Sequence, residues 1–119
     1  MTPLIYAGLP PRTQKDFRTS THAISMKIVI RTVANYFHLT YEQVIGKSRV
    51  SRIATARHIA WSLLRKEGYT FTEISKVCSV HHTSVMNGIR NIEDQKHINP
   101  LINRAYLSLD RKIQKQSSS

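Results

Sequence analysis

The stretch from Tyr69 to Ile92 (YTFTEISKVCSVHHTSVMNGIRNI) constrains the chain most, because two helices are signalled there with almost nothing between them. Thr70 and Glu73 form a T-x-x-E capping box, in which the hydroxyl accepts from the N3 amide and the carboxylate returns to the cap amide. A helix starts at that point, with Ile74 and Val77 inward, and runs out at Cys78-Ser79-Val80, where Ser and a β-branched residue lower helix propensity. A second helix begins near His81. Its Val85, Ile89 and Ile92 recur at i, i+4 and i+7, the spacing of one helical face.

The other face of the second helix carries His82, Thr83, Ser84 and Asn87, then Arg90 and Asn91, with no carboxylate. Such a face fits a helix-turn-helix whose second helix enters the major groove at its N-terminal end. It fits an ordinary helical hairpin with a solvated start equally well, since Ser, Thr and Asn are common caps. Charge separates the two. The 119 residues hold 18 Lys+Arg against 7 Asp+Glu, a net charge of +11, which points to a polyanionic partner and to nucleic acid first. An anionic membrane is the second candidate, but no stretch has the apolar length of a spanning helix and no secretory leader is visible, so a soluble, cytoplasmic protein is expected.

The rest of the chain reads as support for this pair. Residues 1–22, with Pro3, Gly8, Pro10 and Pro11, are expected to be a flexible basic arm. Residues 23–115 form the helical domain, and residues 116–119 a frayed tail. A first helix is predicted from Ala23 to Phe37 on the stripe Val29, Val33, Phe37, with Ile30 and Ala34 beside it. Thr40 and Gln43 open a short second helix with Val44 and Ile45 inward, ended by Gly46 as a helix-terminating glycine. A third helix turns Ile53, Ala56, Ala60, Leu63 and Leu64 to the core, with Trp61 as packing, and Gly68 allows the turn into the helix pair. Asn99-Pro100 opens a last helix, closed onto the core by Ile102, Tyr106, Leu109 and Ile113. Strand alternation is absent, so the class is all-α with about six helices.

The cations are concentrated. Between Gln43 and Lys66 lie Lys47, Arg49, Arg52, Arg57, Arg65 and Lys66 with no Asp or Glu, whereas a solvated face normally mixes both signs. Loop arginines beside a helix-turn-helix contact phosphates or enter the minor groove. Other chemistries find little support. Gly46-Lys47-Ser48 lacks the first glycine of a phosphate-binding loop, because position 41 is Tyr. Cys78, His81 and His82 have no second ligand pair at zinc spacing, and His58 and His97 are too loosely placed to help. A lone cysteine excludes an internal disulfide, and no nucleophile, base and acid combine into a catalytic set. Neither an enzyme nor a cofactor is expected.

The run His82-Thr83-Ser84-Val85-Met86, followed by Gly88, Arg90 and Ile92 and preceded by Thr70-x-x-Glu73-Ile74, resembles the C-terminal DNA-binding domain of the bacterial DnaA initiators. The likeness extends through the apolar pattern of residues 28–66. It implies a Trp-repressor-like, initiator-type helix-turn-helix fold that binds double-stranded DNA at an initiator-type box, for replication initiation or its regulation. It also implies that Arg49, in Lys47-x-Arg49, reads the minor groove, and that Arg57 contacts the DNA backbone. His58 stands where the family has Gln. Arg65 matches a basic position once a one-residue gap follows, and Lys66 substitutes in register. Arg52, Thr70 and Thr72 are further candidate DNA-binding residues. His82, Thr83 and Ser84 stand where the family has His-Thr-Thr, and Asn87 where it often has His. The family places Lys or Arg and then usually Asp before that His; here Val80 and His81 occupy those places and the turn is one residue shorter. The family's acid accepts from cytosine N4, a task a neutral His performs only with a lone pair on the correct nitrogen.

The 119 residues hold no ATP-binding module. An excised domain and a free-standing short relative that competes for or marks initiator-type boxes both fit, with Met1 and the arm before the first helix leaning slightly toward the second; a monomer is expected. A dimeric regulator of the Trp-repressor kind, using an apolar face left on the last helix, and a basic protein-interaction module are the alternatives.

Overall fold

The computed structural model describes residues 25–117. The predicted arm and the first residues of the predicted first helix lie outside them.

Among the described residues six helices follow one another: α1 (Met26–Tyr36), α2 (Tyr41–Ile45), α3 (Ser51–Lys66), α4 (Phe71–Cys78), α5 (His82–Ile98) and α6 (Pro100–Ser117). The fold is all-α, and α3 is its axis, packed against α1, α2, α4 and α5. Its predicted inward residues Ile53, Ala56, Ala60, Leu63 and Leu64 are all buried, joined by Ile59 and Trp61. The Trp61 indole N–H donates to Cys78 Sγ at 3.2 Å, which ties α3 to the end of α4 inside the core.

Local signals set the helix starts. Ser25 caps α1 by accepting from the Ile28 amide, and both predicted capping boxes form, Thr40 with Gln43 on α2 and Thr70 with Glu73 on α4. Asn99 Oδ1 accepts from the Leu101 amide at 3.0 Å, with Pro100 at the first position of α6, where its missing N–H costs nothing. Helix ends follow different rules from those expected. Gly46 is not in the left-handed region; it is extended, with φ −77° and ψ −166°, and a Cβ there would meet the Glu42 carbonyl oxygen at 3.0 Å. Phe37 caps α1 rather than extending it, and His38 at φ 59° reverses the chain. At the end of α6 the helix continues to Ser117 instead of stopping at residue 115, and the Gln116 side-chain amide donates to Thr32 Oγ1 on α1.

The helix pair is joined through Ser79, which adopts the left-handed conformation (φ 52°, ψ 44°), and Val80. The second helix then lies close over α3. Gly88 allows this: a Cβ at that position would stand 2.6 Å from two ring carbons of Trp61 and 2.8 Å from His58 Cδ2. The apolar residues of α5, Val85 and Ile92, are fully buried, with Ile89 partly so. Tyr106, Leu109 and Ile113 close the core from α6, as their spacing predicts, and Ile102 packs at its edge.

Candidate nucleic-acid interface

The loop between α2 and α3, residues 46–50, stands beside the start of α5. Gly46, Lys47, Ser48 and Arg49 of the loop, Ala54, Arg57, His58 and Trp61 of α3, and Val80 and Ser84 of the helix pair line one open groove of about 390 Å³. Thirty residues and more of sequence separate its two banks. What brings them together is the close crossing of α3 and α5 at Gly88.

Three predicted cations, Lys47, Arg49 and Arg52, are exposed on and beside the loop, and no carboxylate of the described residues pairs with them. Several of the acids have partners elsewhere. Asp110 pairs with Lys66 at 2.7 Å, Glu93 takes Lys96 at 3.1 Å and the Ser62 hydroxyl, and Glu67 accepts from Gln114. Glu73 is held in its capping box, and Glu42 is exposed on α2 one turn before Gly46, but no carboxylate lines the groove itself.

Arg57 behaves differently from its neighbours. Its side chain turns inward and is 7% exposed. Nε donates to the Val44 carbonyl and one Nη to the Ser48 carbonyl, both at 3.0 Å, so the guanidinium holds the end of α2 and the basic loop against α3. The second Nη is buried with no hydrogen-bond partner. Burial lowers the guanidinium pKa from its ordinary value, without threatening its charge at neutral pH. Burial also lowers the pKa of the neighbouring His58, and the positive charge of Arg57 lowers it further. That imidazole lies against the Trp61 ring, 5.3 Å between centroids, with Nδ1 3.4 Å from the Asn91 side-chain amide.

Arg65 and Lys66 do not join the groove. The Arg65 guanidinium sits 4.6 Å over the Phe71 ring and donates to the Tyr69 carbonyl, which places it at the start of α4, next to the capped Thr70 and the exposed Thr72. Lys66 leans toward α6, where its bond to Asp110 raises its pKa.

The start of α5 is built from exposed polar groups. His81 is the N-cap: its Nδ1 receives the Thr83 amide at 3.2 Å and lies 3.0 Å from Thr83 Oγ1. The His81 and His82 rings stack at 4.5 Å. Thr83, Ser84, Asn87 and Arg90 are exposed on the same helix, the last two within 3.5 Å of one another. Sequence reasoning missed Val80 and Ser48 as groove residues and Gly88 as the spacer. Of these only Gly88 carries a signal, a glycine within a helical apolar pattern, which marks close packing. Among the described residues no group of three His, Cys, Asp or Glu is placed to hold a metal ion, and no helix is long and apolar enough to cross a membrane.

Comparison with known proteins gives this geometry a family. Residues 26–92 match the family model of the bacterial DnaA protein helix-turn-helix. The chain is 33% identical over 90 residues to the chromosomal replication initiator protein DnaA of Bifidobacterium animalis subsp. lactis, covering 74% of this chain and 15% of that protein. It is 32% identical over 111 residues to the DnaA of Neisseria meningitidis, covering 90% of this chain and 21% of the relative. A solved structure described as a DNA replication initiation factor superposes with a TM-score of 0.66 at 25% identity, over 82% of this chain and 32% of that one. The chain thus spans about a fifth or less of the curated relatives named here. With its loop, its turn and the start of its second helix inside the matched residues, the chain belongs to the bacterial DnaA helix-turn-helix family.

Proposed function

We propose that this chain binds double-stranded DNA at an initiator-type box, with the start of α5 in the major groove and Arg49 in the adjacent minor groove, in replication initiation or its regulation. The observation that carries this reading is the single positive groove bank on which an unpaired basic loop stands next to the polar start of α5. A second helix in the major groove reads bases through its first turns, and a flanking arginine reads the narrow minor groove. His82, Thr83, Ser84 and Asn87 are then the base-facing groups, with Arg90 further along. Lys47 and Arg52 meet phosphates on the loop side, and Arg65, Thr70 and Thr72 meet them at the start of α4. Arg57 serves by holding the loop, and His58 by packing under it; Lys66 reaches a phosphate only by leaving Asp110.

The role is one of binding, in the cytoplasm and as a monomer. Burial of Tyr106, Leu109 and Ile113 of α6 within the domain supports the monomer, while Leu101 and Leu107 of the same helix stay exposed. The test compares Arg49→Ala with Lys47→Ala on a duplex carrying the box and on a scrambled duplex. Losing a base-reading contact costs about 1–3 kcal/mol on the box with little effect on the scrambled duplex, whereas losing a phosphate contact weakens both and reduces the salt slope by about one. An equal loss on both duplexes for Arg49→Ala removes it from the minor groove.

A further inference from the structure

The cap of α5 fixes which hydrogen-bonding character this chain shows to DNA at position 81. A backbone amide only donates, so the Nδ1 that receives the Thr83 N–H at 3.2 Å must carry a lone pair. A neutral imidazole has one donor and one acceptor, so the proton resides on Nε2, across the ring from the cap. Two further contacts hold the ring in place: the Thr83 hydroxyl lies 3.0 Å from the same Nδ1, and the His82 ring stacks on it at 4.5 Å. His81 is exposed. Its free edge at the entrance of the helix is therefore a hydrogen-bond donor and not an acceptor.

We propose that His81 selects a base with a major-groove acceptor, guanine foremost, and discriminates against cytosine at one base pair of the bound site. This rests on the reading of α5 as the major-groove helix. Guanine shows two adjacent acceptors, N7 and O6, on its major-groove edge, while cytosine shows the N4 amino donor, which would face the Nε2–H donor to donor. An acidic side chain at the same place would have the opposite preference, because an ionised carboxylate only accepts. The preference is thus a property of this chain's own cap.

The test determines the base preference at every position by selecting bound duplexes from a pool with a randomised core, for the whole chain and for His81→Asp and His81→Asn. Aspartate and asparagine are both strong N-caps, so α5 keeps its start, and matching helical circular dichroism and melting curves check that each variant folds. The native chain is expected to favour guanine over cytosine by about tenfold at one pair. His81→Asp reverses that preference and leaves the other positions unchanged; His81→Asn, which caps through its oxygen and still has an amide donor, keeps guanine. If native chain and His81→Asp share one preference at every position, His81 only caps and the proposal is wrong. If the native chain has no preference at any position, the major-groove reading of α5 fails and takes the proposal with it.

Discussion

Gly88→Ala tests the packing on which the groove depends. A methyl group built at Gly88 falls 2.6 Å from Trp61 Cε3 and Cζ3 and 2.8 Å from His58 Cδ2. Ordinary carbon contacts are near 3.5–4.0 Å, so the helices or the rings must separate by roughly 1 Å. Trp61 has little freedom to do this: it is 4% exposed and its indole N–H is bonded to Cys78 Sγ. Overpacking of this kind costs about 1–3 kcal/mol, and a rigid ring met at two atoms belongs at the upper end. Alanine returns about 1 kcal/mol through helix propensity, which leaves a net loss of about 2 kcal/mol. For a domain of this size that lowers the melting temperature by roughly 8–16 °C. Urea denaturation followed by circular dichroism measures the loss, with an unchanged slope as the sign that stability alone has moved. The double variant with Trp61→Phe, which lacks the ring carbons that clash, should lose less than the sum of the two single changes. A midpoint for Gly88→Ala at or above that of the native chain would refute the claim that this contact sets the distance between α3 and α5.

Three further outcomes follow from the packing and hydrogen bonds described above. Arg57→Met should destabilise the domain by about 1–3 kcal/mol in urea, because the Val44 and Ser48 carbonyls lose their donors, and should weaken binding to the box more than to a scrambled duplex as the loop that carries Arg49 loosens. Thr70→Ala should cost about 1 kcal/mol in the same assay through loss of the α4 cap. His58 has a folded pKa below its unfolded value, so the unfolded chain binds the extra proton first; stability is full above the unfolded pKa and is lost as pH falls through the folded one. Melting temperatures followed from about pH 7.5 down to about pH 5.5 should therefore fall, and His58→Gln should flatten the decline.

The parts of the fold legible in the sequence were those encoded locally. Both capping boxes join residues three apart, and the buried positions of α3 and α6 repeat at helical spacing, so neither needs knowledge of a distant partner. The site was legible as a set of residue types and much less as an arrangement. Arg57 reads in sequence as one more cation of a basic run, yet its partners are the carbonyls of Val44 and Ser48 across the turn, and only the packing of α2 on α3 reveals them. Lys66 finds Asp110 from α6, 44 residues away, which no local pattern announces. His81 reads as a base-facing group in sequence; the structure adds that one of its nitrogens is already engaged by the helix amide. Gly46 ends α2 as its residue type suggests, but in extended backbone rather than in the left-handed region that terminal glycines commonly use.

On the function proposed above, the positive loop and the start of α5 together read a particular duplex. The most direct measurement is the fluorescence anisotropy of labelled duplexes, one carrying an initiator-type box and one scrambled, titrated with the whole chain at several salt concentrations. Binding to the box is expected to be tighter at every salt, with both affinities falling linearly in log–log form as phosphate contacts release counterions. Equal affinities with the same steep salt dependence would contradict it, leaving a charged surface that binds DNA without reading it.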